Sequence, residues 1–396
     1  MTGADRPAIL VVFYANPDHY PPTRNAIVML RERFRVHLVC RNDAGPALMT
    51  WPDDVRVERV GPAISERERA EGRASAKLRE YLGFVRAVRR ALAAGRPAVA
   101  FAYEPHALAA LALAGCRAPI VYQRHELEIG SEVALPWTSM QTWILALARR
   151  IGRRAAVVVF PEKNRAEIYQ RAVGDPRPAM IVPNFPMLSA FPAPSPWTEI
   201  LEARRRTRQI LYRGSIGSDN GVFEMVRAMG HLDAGFSLRL CGRAAPEVVR
   251  EIEAVAASIG VAGRVRYDGV VPYERLNRET ALAAVGLVLY QQRAGNNLVL
   301  NATATNKLYE YAACGVPVVA PDWPSYRDFF AGDAWVELAD ASDPAAVARA
   351  IERIFEDPGR YEERCRAARR AFEERFNYDA VFAPLLDRIA GLAGGA

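Results

Sequence analysis

The run Ala302–Val319, ATATNKLYEYAACGVPVV, holds the residues whose types and spacing are best suited to chemistry. Lys307 and Glu310 stand three positions apart, one helical turn, behind a small polar segment ending at Thr305. The spacing predicts a short helix with Thr305 as N-cap, a left-handed turn at Gly315 and a buried strand after Pro317. Free N–H groups at such a helix start attract an anion such as a diphosphate. Lys307 adds positive charge there, and the Glu310 carboxylate could accept hydrogen bonds from sugar hydroxyls. The same pattern also fits an ordinary helix–strand junction of an α/β domain.

Other candidate groups fall at predicted strand ends. Arg213-Gly214-Ser215-Ile216-Gly217 follows one strand, and glycines there let backbone N–H groups approach a phosphate. Arg243 and Arg293 follow two further strands. Each alone reads as a surface charge, whereas with Lys307 they suit a diphosphate. In the first half, His125-Glu126 directly follows IVYQ, and a histidine at a strand end can carry a proton or bind a hydroxyl. It could equally be a structural histidine bonded to a loop. No D-x-D, G-x-S-x-G, H-E-x-x-H or kinase signature occurs. The usual carboxylate pair for a metal–diphosphate is therefore missing, and no metal or cofactor is expected.

The elements that must position these groups alternate. Ile9–Phe13, Val36–Cys40, Val55–Val60, Ala98–Tyr103, Ile120–Tyr122, Ala156–Phe160 and Met180–Val182 read as strands. Asn25–Phe34, Glu66–Ala94, His106–Ala114 and Val133–Arg154 read as helices between them. In Glu66–Ala94 the apolar stripe is Leu78, Leu82, Val85, Val88 and Leu92. Phe185–Trp197, with four prolines, breaks the rhythm as a linker. Strands at Gln209–Tyr212, Ser237–Cys241, Val265–Asp268, Gly286–Tyr290 and Val316–Ala320 then alternate with helices at Gly221–Met229, Pro246–Ile259 and Tyr273–Ala284, and helices close the chain. This predicts two open parallel α/β domains that bind ligands at strand carboxyl ends, with the cleft between them as the expected site.

The totals agree with that class. A chain of 396 residues exceeds one ordinary core, and 51% hydrophobic with 24% charged residues fits a globular protein. The net charge of +7 permits acidic partners without choosing among them. The basic residues follow no RNA-binding motif, so nucleic acid is not expected. Five scattered cysteines without a C-x-x-C predict a reducing compartment. With no secretory signal and no good span, a cytoplasmic location is expected. Trp137, Trp143, Ile144 and Leu147, followed by Arg149, Arg150, Arg153 and Arg154, would suit a helix lying on anionic lipid at the inner face of the membrane. A helix packed on the sheet with a solvated basic end is the commoner outcome of such a pattern.

In order and spacing, ILYRGSIGSDNGVFEMVRAMGHL, LRLCGRA, VRYDGVVPYERL and NKLYEYAACGVPVV resemble the retaining glycosyltransferases of family 4, on the GT-B fold. IVYQRHELE and IVPNFP extend the likeness into the first half, and AFEERFNYDAVFAPLLDRIAGL into the terminal helices. The resemblance implies an acceptor domain over 1–188, a nucleotide-sugar donor domain over 189–376, and a helix over 377–396 that braces the first domain. It implies transfer from a UDP- or GDP-sugar to a glycan, lipid-linked or small-molecule hydroxyl, as in cell-surface polysaccharide synthesis, with retention. Glu310 would bind ribose. Gly214, Ser215, Arg243, Arg293, Thr305, Asn306, Lys307 and Leu308 would hold the diphosphate, and Val270 and Val271 the base. His125 would lie near the reacting sugar, with Asn16 and Glu126 on the acceptor side. The chain departs from the family at three positions. Ala302 stands where the first of two glutamates is common, and Ser215 and Asn220 where phosphate-binding Arg and Lys are common; Arg213, Arg243 or Arg293 would then supply the charge. An inactive binding protein, or an epimerase on the same architecture, are the alternatives.

Overall fold

Short runs rich in Val, Ile and Leu become strands buried on both faces, and in each half of the chain they pair in parallel. The computed structural model describes residues 6–44, 50–125, 139–291 and 305–395. Two units divide it: Met1–Asn184 with Tyr378–Ala396, and Phe185–Asn377.

The first unit carries β1 (Ala8–Phe13), α1 (Pro21–Leu30), β2 (Arg35–Asp43), β3 (Arg56–Ile64), α2 (Glu66–Glu71), α3 (Ala74–Gly95), β4 (Val99–Tyr103), α4 (Glu104–Leu113), β5 (Ile120–Gln123), α5 (Met140–Gly152), β6 (Val157–Phe160), α6 (Lys163–Val173) and β7 (Met180–Ile181). Its sheet runs β3-β2-β1-β4-β5-β6-β7. The second unit carries α7 (Trp197–Thr207), β8 (Gln209–Arg213), α8 (Val222–Ala228), β9 (Ser237–Cys241), α9 (Pro246–Ser258), β10 (Val265–Gly269), α10 (Tyr273–Thr280), β11 (Val285–Leu287), α11 (Asn306–Ala313), β12 (Val318–Pro321), α12 (Pro324–Phe329), β13 (Val336–Ala339), α13 (Pro344–Phe355) and α14 (Pro358–Glu374). Its sheet runs β10-β9-β8-β11-β12-β13. Each order reverses beside the unit's first strand, at β1/β4 and β8/β11, which is where open parallel sheets leave room for ligands. The last helix, α15 (Tyr378–Gly394), packs on α1 and β4 of the first unit.

Several local expectations need correction. α1 begins at Pro21, not Asn25, because a proline at the first helical position costs no hydrogen bond. The segment 66–94 is two helices, broken where Gly72 and Arg73 are both extended. In α3 the buried stripe is Tyr81, Phe84, Val85, Val88 and Ala91; Leu78 and Leu82 are exposed, because the bulkier aromatic rings take the core positions. The Pro-rich linker gives way to α7 at Trp197, and α6, α12 and β13 had no predicted counterpart. In the segment expected as the helix 133–154, α5 covers Met140–Gly152, and residues 133–138 lie outside the described residues. No described helix is long and apolar enough to cross a membrane.

Candidate functional site

In the second unit the groups gather at the ends of β8 and β9 and the start of α11. Gly214 and Gly242 follow the two strands with left-handed φ values of +122° and +152°. A side chain at Gly242 would strike the Gly214 carbonyl, so the two loops lie edge to edge only because residue 242 is glycine. Gly286 serves a second close approach. Its missing Cβ leaves room for the Tyr311 ring, whose hydroxyl donates to the Leu211 carbonyl and accepts from the Arg213 N–H. Tyr311 thereby fixes α11 against β8.

On that frame, Glu310 is buried and both its oxygens are engaged. Arg213 Nε lies 3.0 Å from Oε2, and the Tyr273 hydroxyl donates to Oε1 at 2.9 Å. The Arg213 guanidinium also donates to Thr280 Oγ1 at 2.8 Å and Asn277 Oδ1 at 2.9 Å. Burial penalises the Arg213 charge, but Glu310 together with Tyr273, Tyr311 and Cys314 outweighs that penalty and raises its pKa. Arg213 is thus the counter-ion of Glu310, which corrects the expectation of a cation available for phosphate. Each carboxylate oxygen keeps a further lone pair that a hydroxyl could use.

Lys307 is the other charged group. Its Nζ donates to the Tyr212 hydroxyl at 2.8 Å and sits 4.4 Å and 4.8 Å from the ring centres of Tyr212 and Tyr290. The Tyr212 hydroxyl in turn donates to the Ser215 carbonyl at 2.6 Å. Burial lowers the ammonium pKa to about 7; Glu310 opposes the shift and Arg213 adds to it. Gly214 leaves the space beside Lys307, since a Cβ there would lie 3.2 Å from Nζ. Thr305 occupies the N-cap position, but its hydroxyl pairs with Tyr290 at 2.8 Å and makes no cap hydrogen bond. Asn306 and Leu308 complete the first turn, and Asn306 Oδ1 is buried with no partner among the described residues. Gly214, Ser215 and Arg243 are exposed, as is Val270, with Val271 beside it half-buried. Arg293 and Ala302 lie outside the described residues.

In the first unit His125 follows β5. Its ring stacks on Tyr103 at 5.3 Å and 6°, and on Tyr20 at 5.9 Å and 23°. Nε2 lies 3.3 Å from Thr23 Oγ1, and Arg165 donates to the His125 carbonyl at 2.5 Å. Burial first, then Arg165, lowers the imidazole pKa to about 4, so the ring is neutral at physiological pH. Asn16 is buried and already engaged: its Oδ1 accepts from the Asp18 N–H and from Arg59, which also pairs with Asp18. Glu126 lies outside the described residues.

Glu104, which sequence reasoning passed over, sits at the end of β4 with φ +65°. Its Oε1 accepts the backbone N–H of His125 at 2.7 Å. A non-glycine residue in this strained region at a switch point is a functional candidate. The available signal was Glu104-Pro105, since the residue before proline is steered out of the helical region. Among the described residues, no three His, Cys, Asp or Glu side chains gather where they could hold an ion.

Comparison with known proteins agrees with this architecture. Residues 23–185 match the family described as Glycosyltransferase Family 4, and residues 224–387 match the family described as Glycosyl transferase-like. A D-inositol 3-phosphate glycosyltransferase of Xylanimonas cellulosilytica is 33% identical over 180 residues. That match spans 45% of this chain and 41% of the relative's length. Among solved structures, a sucrose-phosphate synthase from Thermosynechococcus elongatus superposes with a TM-score of 0.74 at 18% identity, over 99% of this chain and all of that one. HepE of Anabaena, solved in complex with UDP, gives 0.68 at 15% identity, over 97% of this chain and all of that one. At these identities the structures show the shared fold.

Proposed function

We infer the activity from one premise: the chain belongs to the family 4, group 1 glycosyltransferases of the GT-B fold. On this reading the second unit binds a nucleotide-sugar and the protein transfers the sugar to a hydroxyl acceptor with retention, without a metal. The observation that carries it is the pairing, one turn apart on α11, of a carboxylate held by Arg213 and Tyr273 with a caged lysine. Glu310 accepts the ribose hydroxyls. Lys307 and the N–H groups of Asn306, Lys307 and Leu308 take the diphosphate, where the transition state gathers negative charge. Gly214 and Ser215 bring backbone to it, and Arg243 or Arg293 supplies the charge that Ser215 and Asn220 lack. Val270 and Val271 line the base. Neutral His125, its ring held between Tyr103 and Tyr20, accepts or donates a hydrogen bond at the reacting sugar, with Asn16 and Glu126 toward the acceptor. The donor is a UDP- or GDP-sugar, in line with the UDP held by HepE. The acceptor is the hydroxyl of a glycan, a lipid-linked glycoside or a small-molecule glycoside.

A thermal-shift screen of UDP-, GDP-, ADP- and TDP-sugars tests the donor half. At least one should raise Tm in the wild type and fail to do so in Glu310→Ala and Lys307→Ala. If no nucleotide-sugar raises Tm, the reading fails. If one binds but the purified protein neither hydrolyses nor transfers its sugar, the chain is a binding protein.

A further inference from the structure

Arg204 is a fully buried cation with no carboxylate partner among the described residues. All five of its N–H donors are nevertheless used. Nε donates to the Ala281 carbonyl at 3.1 Å, and Nη2 to the carbonyls of Ala281 at 2.8 Å and Cys314 at 2.7 Å. Nη1 donates to the Gly315 carbonyl at 2.6 Å and to Cys365 Sγ at 3.5 Å. Trp197, one helical face along α7, lies 6.0 Å beneath the guanidinium and fills the space left by the absent Cβ of Gly315.

Ala281 is the C-cap of α10 and Cys314 the C-cap of α11. The last carbonyls of a helix lack intrahelical partners and carry the negative end of the helix dipole. One guanidinium therefore satisfies the ends of two helices at once, and their dipoles take the place of a counter-ion. These are the two helices that hold the site. α10 supplies Tyr273, Asn277 and Thr280, and α11 supplies Lys307 and Glu310; Arg213 spans them. A second buried arginine, Arg369, reaches the Ala313 carbonyl and so anchors α11 from another side.

We propose that Arg204 is a positioning residue for nucleotide-sugar binding: by bridging the C-caps of α10 and α11 it sets their separation and with it the geometry of the Arg213–Glu310–Tyr273 cluster. This rests on the donor-site reading above. It acts only through backbone carbonyls and touches no substrate. Lysine at this position keeps the charge but has three donors on one flexible atom for five contacts, so it loses the two-nitrogen grip on the Ala281 carbonyl and the Nη1 bonds to Gly315 and Cys365.

The test is hydrogen exchange of Arg204→Lys without ligand, followed by titration with the nucleotide-sugar that stabilises the wild type best. Exposed Arg205→Lys is the control. Exchange should accelerate about tenfold or more in 273–281 and 306–315 while 344–355 stays at the wild-type rate, and Kd should rise by about tenfold. Unchanged exchange in the two segments overturns the proposal. So does equal acceleration across the whole second unit, or local acceleration with unchanged Kd, since either marks a purely structural arginine. If the wild type binds none of the four nucleotide-sugars, the donor reading fails, and hydrogen exchange alone then decides whether Arg204 sets the cluster. Should Arg204→Lys not fold, Trp197→Leu, which removes the ring beneath the guanidinium and leaves the caps themselves unchanged, gives the same readout.

Discussion

The two sheets end in buried ionisable groups of opposite design. At the end of β8 the groups are charged and paired: Arg213 and Glu310 face each other at 3.0 Å, with Lys307 caged by two tyrosine rings beside them. At the end of β5, His125 is stacked between Tyr103 and Tyr20, and burial keeps it uncharged. The first arrangement has the chemistry to receive an anion and a pair of hydroxyls. The second offers one neutral hydrogen-bonding ring. At these two strand ends, therefore, one sheet plan carries a charged pair in one unit and a neutral ring in the other.

The largest effect that would break this contrast is removal of a charge partner. Glu310→Ala leaves Arg213 buried without its carboxylate and should cost roughly 3–5 kcal/mol of stability by denaturant unfolding. Arg213→Met with Glu310→Gln should recover much of that loss, because both charges leave together. If Glu310→Ala unfolds at the wild-type midpoint, the pair is not the buried, charged unit described here.

The next effect belongs to the neutral half. The folded pKa of His125 is about 4, below its ordinary 6.5. Below pH 6.5 the unfolded chain takes a proton that the folded chain refuses. The stability His125 contributes is thus intact above 6.5 and lost as pH falls toward 4, by roughly 3 kcal/mol in all. His125→Asn should flatten that part of the stability–pH curve while leaving nucleotide affinity at pH 7 unchanged. His106, also lowered to about 4 by burial and by Arg41, adds a parallel slope that the variant leaves in place. A curve of equal slope in wild type and variant would show that His125 is not held neutral.

Much of the fold was legible because it is written locally. Runs such as ILVVF and VAFAY are apolar on both faces, and parallel buried strands are built that way. The α11 run announced its helix, its Gly315 turn and its strand. The α3 stripe was misread because periodicity alone did not weigh Tyr81 and Phe84 against Leu78 and Leu82. The pairing of Arg213 was hidden for a different reason. Its partners Asn277 and Thr280 lie 64 and 67 residues away, and only the sheet order brings α10 and α11 beside it. Arg204 was hidden inside Arg204-Arg205-Arg206, which reads as a solvated basic face; only its burial distinguishes it from its neighbours.

The smallest effect concerns Lys307, and it sharpens the contrast most. Burial brings its ammonium to about 7, from an ordinary 10.5, so near neutrality a fraction of the folded chains carries no charge there. Binding a diphosphate favours the charged form, so binding must draw a proton from solvent wherever free Lys307 is neutral. Nucleotide affinity should then be flat below pH 7 and weaken above it, approaching tenfold per pH unit, or about 1.4 kcal/mol. Calorimetry in buffers of different ionisation enthalpy should register the uptake as a buffer-dependent heat at pH 8 that vanishes at pH 6. Lys307→Arg, charged at every pH used, should abolish both the slope and the proton uptake. A wild-type affinity that holds steady from pH 6 to 9 would mean that Lys307 stays charged in its tyrosine cage, and the second unit would then hold permanent charges only.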